Sequence, residues 1–336
     1  MRSSRSASMS EGHGRTNYRM MKLRSAENLQ PRVVVLLVFF FCLYAGYRSG
    51  DFWSGLNWQL LLQPLAEAGL VSIGMMFVIA SGGIDLSVGS MIGVSAVAAG
   101  LAAQHGWHVP AIEATALAAG LLCGAFNGLM IGVLQLSSIL VTLGTMILFS
   151  GVGLALSSGN SFAGFPEKLL WWNDAALLHV PIEFLFFLAL AAIAAVLLRY
   201  TLWGHYVIAI GSNPVAARYS GYPVRLSLFT VYSVQGLLCG MTGVLMVARL
   251  ASARADMGQG LMLMSIAAVV LGGAPIEGGS ASVAGTVAGV AAFYIVQDGL
   301  LLLDVPPFVQ YALTSLLLLV AVGFGNFLRG KREDGR

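Results

Sequence analysis

Long apolar runs separated by short polar connections form the pattern of almost the whole chain. A transmembrane helix needs about 20 mostly apolar residues, because it rises 1.5 Å per residue across roughly 30 Å of hydrocarbon. The pattern predicts an all-α protein, a polytopic transmembrane helical bundle of about ten spans. The predicted spans are residues 33–47, 58–80, 87–104, 110–134, 138–158, 181–199, 226–248, 260–273, 281–302 and 307–327. The eighth is short enough to be a half-span, unless it extends upstream.

Composition supports a membrane-embedded chain. Hydrophobic residues make up 57% of the 336 residues and charged residues only 10%. Soluble globular chains carry about 25% charged residues, so we expect most of this surface to face lipid. The three cysteines lie inside apolar runs, and the sequence has neither disulfide nor metal-ligand spacing. We expect no metal and no cofactor.

Basic residues set the predicted topology. Residues 1–32 carry seven Arg and Lys residues and residues 329–336 carry four, and basic flanks stay on the cytoplasmic side of a bilayer. From an inside N-terminus, six crossings bring the arginine-bearing segment 199–225 inside as well. We therefore expect a multi-pass protein of the bacterial inner membrane, with a disordered cytoplasmic tail at 1–32, a membrane domain at 33–328 and a cytoplasmic tail at 329–336. The basic tails adjoin apolar spans, so no nucleic-acid partner is expected.

Glycine spacing predicts close helix packing. Gly120, Gly124, Gly128 and Gly132 recur every four residues, which places them on one helix face. Small residues at this spacing let transmembrane backbones approach closely. The alternative is a glycine-rich helix that faces lipid.

Two glycine-rich junctions resemble each other. Residues 81–90 and 271–280 both contain Gly-Gly, five residues and then Gly-Ser. Each is either a helix broken near a solute path or a plain cytoplasmic turn. In the first, Asp85 or Ser87 is expected to cap the following helix. An internal repeat stays open, because Gly-Leu-Leu-Cys-Gly recurs at 120–124 and 236–240 with a different offset.

A short helix is predicted between the sixth and seventh spans. Asn213 can cap it, Pro214 suits its first position, and Gly221 can end it. Such a helix either joins two spans or transmits force from a soluble partner.

Four acids lie in or beside apolar runs: Glu67, Glu113, Glu183 and Asp298. Only Glu67 is mid-span, and the sequence suggests no basic partner for it. The other three are expected near outer ends, where water is close. A proton-coupled carrier therefore stays an alternative.

Motifs for catalysis are missing from the sequence. The chain lacks a phosphate-binding loop, a zinc-protease motif and a nucleophile elbow. We therefore expect no enzyme, and any ATP that drives transport is expected to be hydrolysed by another subunit.

Several motifs follow one another along the chain, at Ser81 to Ser90, Asn127 to Leu129, Val141 to Thr145, Gly211 to Gly221 and Ala267 to Gly273. At these residues the chain resembles the membrane subunits of ribose-type ABC sugar importers. The resemblance implies a cytoplasmic ABC ATPase subunit, a periplasmic substrate-binding protein and a second permease copy or paralogue, all working in membrane lipid.

The resemblance also implies site residues. The expected ATPase-coupling loop comprises Gly211, Asn213, Pro214, Ala216, Ala217, Arg218 and Gly221. The expected translocation path includes Gly82, Gly83, Asp85, Ser87, Asn127, Thr142, Gly272 and Gly273. The solute is expected to be a monosaccharide. The alternatives are autoinducer-2 or another small solute, an ion-coupled secondary carrier, and a membrane scaffold that transports nothing.

Overall fold

The computed structural model describes residues 29–306, 308–310, 312–313 and 316. Most of the two predicted tails and of the tenth predicted span, 307–327, lies outside these residues. The longer helices are α1 (Leu29–Arg48), α2 (Gly55–Ala80), α3 (Val88–Gln104), α4 (Val109–Gly128), α5 (Ser138–Ser157), α7 (Ile182–Tyr200), α10 (Val224–Leu250) and α12 (Val283–Leu302). The shorter ones are α6 (Glu167–Asp174), α8 (Leu202–Ser212), α9 (Pro214–Tyr219) and α11 (Leu261–Leu271).

The all-α membrane architecture predicted from the apolar runs is confirmed. Each of the first nine predicted spans coincides with a helix, and six described helices are long and apolar enough to cross a membrane. A π-helical turn, Leu129–Val133, extends α4 to the length of a span. The segment 199–225 contains two helices, although the sequence predicted only the second of them. The total of about ten crossings stays a prediction.

Sheet is confined to two short ribbons within the described residues. Strand β1 (Phe162–Ala163) pairs antiparallel with β4 (Ser252–Ala253), and β2 (Ala176–Leu177) pairs antiparallel with β3 (Val180–Pro181). The first ribbon joins the connection after α5 to the connection after α10.

Helices α2 and α10 form the centre of the bundle. In each, 83% of the most apolar window is buried inside the protein, against 22% for α5 and α7. A helix that is apolar on all sides and lies between other helices has no solvent-facing stripe. Helices α5 and α7 instead present apolar surface that lipid or another chain can cover.

Glycines hold α4 against α10. A Cβ atom at Gly236 would overlap the carbonyl oxygen of Gly120 and lie 2.6 Å from the Cα of Gly124. Further along, Gly128 and Gly132 lie equally close to the backbone of Phe229. The predicted glycine packing face is therefore confirmed, and the two Gly-Leu-Leu-Cys-Gly segments pack against each other.

This contact predicts an asymmetry between two glycine substitutions. Gly236→Ala should destabilise the protein by about 1–3 kcal/mol, because the added methyl forces two backbones apart. Gly144→Ala on α5 meets open space, and should leave stability unchanged or slightly raised because alanine favours helix. Thermal unfolding in detergent micelles measures both, and equal melting temperatures for the two variants would contradict the packing described here.

Candidate functional site

The two glycine-rich junctions touch each other. The first junction (residues 81–87) joins α2 to α3, and the second junction (residues 272–282) joins α11 to α12. The backbone N–H of Gly279 donates to the carbonyl of Ala80 at 3.0 Å. A Cβ at Gly278 would lie 2.7 Å from the backbone nitrogen of Gly82. This hydrogen bond joins two residues that are far apart in the sequence, and it pairs the N–H group of Gly279 with the carbonyl group of Ala80.

Backbone conformation explains several of these glycines. Gly82, Gly273, Gly278 and Gly279 have φ values of +83°, +96°, +91° and +79°. Residues with a Cβ rarely adopt this left-handed region, whereas glycine does so freely. Gly83 is needed for space instead, since a Cβ there would overlap the hydroxyl of Tyr232.

A buried polar network holds the first junction in shape. Asp85 Oδ1 accepts hydrogen bonds from the backbone N–H of Ser87 at 2.8 Å and from its hydroxyl at 2.6 Å. Asn127 of α4 donates to Ser87 Oγ at 2.8 Å. The capping prediction was therefore wrong in detail, because neither side chain accepts from the first turn of α3. Asp85 instead fixes the residue that precedes the helix.

Helix α5 is attached to the same junction. Thr142 Oγ1 lies 3.2 Å from the carbonyl of Ile84, and the Ile84 N–H lies 3.4 Å from Ser138 Oγ. Asp85, Ser87, Asn127 and Thr142 are all fully buried. The structure thus brings these four predicted path residues together, and their hydrogen bonds hold the first junction in place.

The remaining predicted path residues lie at other contacts. A Cβ at Gly272 would overlap the backbone of Gly285 in α12. Gly82 and Gly273 form turns, with Gly82 at the contact between the junctions. These residues determine how the helices meet. Because they are glycines, they could offer only backbone atoms to a solute path.

The predicted short helix is present as α9. Asn213 Oδ1 accepts from the N–H groups of Val215 at 3.1 Å and Ala216 at 2.9 Å, and Pro214 is the first helical residue. Gly221 follows with φ of +81°. We call residues 213–221 the elbow. Ala217 is its buried anchor, whereas Val215, Arg218 and Tyr219 are exposed.

The elbow is connected directly to both junctions. Gly211, two residues before it, has a backbone so close to Ala80 and Gly279 that a Cβ would overlap the Ala80 carbonyl and lie 2.6 Å from Gly279 N. Ser212 Oγ would lie 2.6 Å from a Cβ at Gly279. The residue that leads into the elbow therefore contacts the end of α2 and the second junction without an intervening side chain.

A groove of about 750 Å³ lies beside this contact. It is bounded by the end of α7, by α8 and by residues 279–284, and Arg199, His205 and Tyr222 contribute polar groups to it. The groove and the elbow together form one continuous feature on this end of the bundle.

The mid-span acid has a partner that sequence reasoning missed. Arg249 Nε and Nη2 donate to the two carboxylate oxygens of Glu67, both at 2.7 Å. The sequence had placed Arg249 in an outer connection, but it belongs to the last turn of α10. Its side chain reaches back along the helix to Glu67, which is only 2% exposed.

The other intramembrane acids differ from one another. Glu113 accepts from the indole N–H of Trp172 at 2.9 Å, and Asp298 accepts from Asn57 at 2.8 Å. Glu183 was expected near water but is fully buried, and its carboxylate has no hydrogen bond within the described residues. It lies within electrostatic range of Glu67 and Arg249.

A second cleft, of about 490 Å³, lies between α3, α5 and the start of α11. It is lined by Leu86, Gly89, Ser90, Met146, Ile147, Ser150, Gly151, Leu154, Gln259 and Met262. None of them was among the predicted path residues, although Leu86, Gly89 and Ser90 belong to the Ser81–Ser90 motif. Gly89 and Gly93 lie four residues apart in the sequence, a spacing that indicates close packing but does not identify the segment that approaches.

That approaching segment is not a helix. The connecting segment (residues 251–260) runs along α3, with Phe162 of the paired strand at Gly100, Ala255 at Gly93 and Gly258 at Gly89. These glycines span about 16 Å of α3 at 1.5 Å per residue. Helix α11 is therefore short, because the connecting segment extends along α3 before α11 begins at Leu261.

Within the described residues, no group of His, Cys, Asp or Glu could hold a metal ion. The features above describe a multi-pass helical membrane protein in which two glycine-rich junctions meet beside a short, exposed helix. This is the class of transport permeases.

Comparison with known proteins agrees with this class. The family described as "Branched-chain amino acid transport system / permease component" matches residues 62–322. The chain is 37% identical over 260 residues to the autoinducer 2 import system permease protein LsrD of Escherichia coli K12, covering 76% of this chain and 79% of LsrD. It is 35% identical to LsrD of Photorhabdus laumondii, covering 76% and 78%. No solved structure matches significantly.

The chain therefore belongs to this family of ABC importer permeases. The resemblance seen in the sequence motifs is confirmed. As members of this family are transport subunits, the prediction of a protein that is not an enzyme is confirmed as well.

The Glu67–Arg249 pair yields a stability prediction. Arg249→Met should cost about 3–5 kcal/mol, because it leaves the buried Glu67 carboxylate without its partner. Adding Glu67→Gln to Arg249→Met should recover much of that loss, since no charge then remains unpaired. Thermal unfolding in detergent measures both variants.

The chain offers a matched control in its exposed pair. The side chains of Arg254 and Asp256 are 57% and 46% exposed, and Arg254 Nη2 lies 2.6 Å from Asp256 Oδ2. Arg254→Met should therefore leave the melting temperature close to the wild-type value, because an exposed ion pair contributes little to stability. An Arg249→Met protein as stable as the wild type would contradict the buried pair.

Proposed function

We propose that this chain is the membrane subunit of an ABC importer that carries a monosaccharide across the inner membrane. A periplasmic binding protein delivers the solute, and a separate cytoplasmic ATPase subunit hydrolyses ATP. The observation that carries the proposal is the elbow: an exposed, well-capped helix whose neighbour Gly211 abuts both broken-helix junctions. Membership of the permease family supports the same interpretation.

The elbow and the adjoining groove are the proposed ATPase contact. This places the elbow, and with it both chain termini, on the cytoplasmic side. The seven basic residues before position 33 and the four after position 328 favour that orientation. The tails at 1–32 and 329–336 then flank a permease domain at 33–328.

A second permease copy or paralogue is proposed to complete the pore. Apolar residues on α5 such as Leu140 and Ile147 are 72% and 67% exposed. A partner chain and lipid together would cover such a surface. Helix α5 would then lie at the contact between the two permease chains, and it also borders the second cleft.

Autoinducer 2 is a second candidate solute. It is the solute named for LsrD, to which the chain is 35–37% identical. Uptake by the reconstituted importer, with labelled monosaccharides and autoinducer 2 in competition, distinguishes the two. The ion-coupled carrier is less favoured, because its one mid-span acid is engaged by Arg249. That alternative requires uptake in liposomes without any ATPase, sensitive to Glu67→Gln.

The elbow yields a sharp test. Tyr219→Asp and Val215→Asp should abolish co-purification with the ATPase subunit and reduce ATP-driven uptake at least tenfold. Both side chains are exposed, at 89% and 62%, so the fold should tolerate the change.

Tyr47→Asp is the matched control, as Tyr47 is 87% exposed at the far end of α1. It should retain both the ATPase and uptake. Normal co-purification and uptake in the two elbow variants would refute the coupling role.

A further inference from the structure

The cleft between α3, α5 and α11 has an unusual combination of features. Its lining contains no charged side chain, and its polar side chains are Ser90, Ser150 and Gln259. Its volume of about 490 Å³ falls in the range of small-molecule sites, roughly 300–1,000 Å³. The remaining lining is aliphatic residues, methionine and glycine.

The polar groups in the cleft have unused hydrogen-bonding capacity. The side chains of Gln259 and Ser150 make no hydrogen bond within the described residues. The Ser90 hydroxyl donates to the carbonyl of Ser87 at 2.7 Å, which leaves its oxygen free to accept. The cleft therefore offers an amide, a free hydroxyl and an acceptor oxygen.

The backbone at this cleft is built for close approach. A Cβ at Gly89 would lie 2.6 Å from the carbonyl oxygen of Gly258, so only glycine allows the connecting segment to lie here. Non-helical backbone among membrane helices is tolerated where protein covers it or where it borders a watery cavity. Gln259 follows directly, at the point where this backbone meets the cleft.

We propose that this cleft is each subunit's part of the solute path, and that Gln259, Ser150 and Ser90 bind hydroxyl groups of an uncharged polyhydroxyl solute. This inference rests on the proposed transport function. An anionic or cationic solute would find no counter-charge among the lining residues, whereas hydroxyl groups match both the donors and the acceptors. The methionines Met146 and Met262 offer adaptable apolar contact to a sugar-like ring.

The test uses the complete importer in proteoliposomes. Gln259→Leu should raise the half-saturating solute concentration or lower the maximal uptake by roughly threefold to tenfold. A change of this size corresponds to the loss of one hydrogen bond. Gln259→Asn should retain more activity than Gln259→Leu. Basal ATP hydrolysis and co-purification with the ATPase should stay at wild-type levels in both. Gln104→Leu is the matched control, since Gln104 is an exposed glutamine at the other end of α3, away from the cleft.

A labelling experiment gives a second, independent readout. Ser150→Cys in a Cys42→Ala background should react with a small maleimide, and the transported solute should slow that reaction. Gln104→Cys in the same background, exposed at the other end of α3 and outside the cleft lining, should react at a rate that the solute does not change.

The experiments distinguish a failure of the proposed transport function from a failure of the proposed role of the cleft. If the wild-type complex shows no ATP-dependent uptake, the proposed function is wrong. If wild-type uptake is normal while Gln259→Leu and Ser150→Cys behave like their controls, the function stands and the assignment of this cleft is overturned.

Discussion

Unpaired backbone groups are the constraint on which this structure depends. Hydrocarbon offers no hydrogen bonds, so each interruption of a helix inside the bundle must be satisfied by protein or by a polar cavity. The chain meets this requirement with glycine, which allows one backbone to lie directly on another. Gly279 donates to Ala80 at the junction contact, and Gly89 packs against Gly258 of the non-helical connecting segment.

The same constraint explains why distant segments act together. Ala80 at the end of α2, Gly211 in the last turn of α8 and Gly279 in the second junction meet backbone to backbone. A contact without side chains has little room to yield, because packed backbones resist displacement. On our proposal, movement of the elbow by an ATPase therefore reaches both junctions, and through the first junction it reaches the α3 wall of the cleft.

Local patterns predicted much of this arrangement. Apolar runs predicted nine helices to within a few residues, and Asn213-Pro214 predicted the capped elbow, because both depend on neighbours in the sequence. Contacts between distant elements could not be predicted in that way. Arg249 and Glu67 pair only because α2 and α10 lie side by side, and Gln259 borders a cleft only because its segment runs along α3. Asp85 was singled out from the motif and is buried in the first junction, but its acceptor geometry depends on a turn that the motif does not specify.

The contact at Gly211 is the most direct place to test the account. Gly211→Ala adds one methyl where it would overlap the Ala80 carbonyl, while the exposed face of the elbow is unchanged. The measurement is the number of solute molecules imported per ATP hydrolysed in proteoliposomes, with Gly144→Ala as the control. We predict that the ATPase still binds and hydrolyses ATP, while the number of solute molecules imported per ATP falls at least threefold. An unchanged ratio in a well-folded Gly211→Ala protein would contradict it.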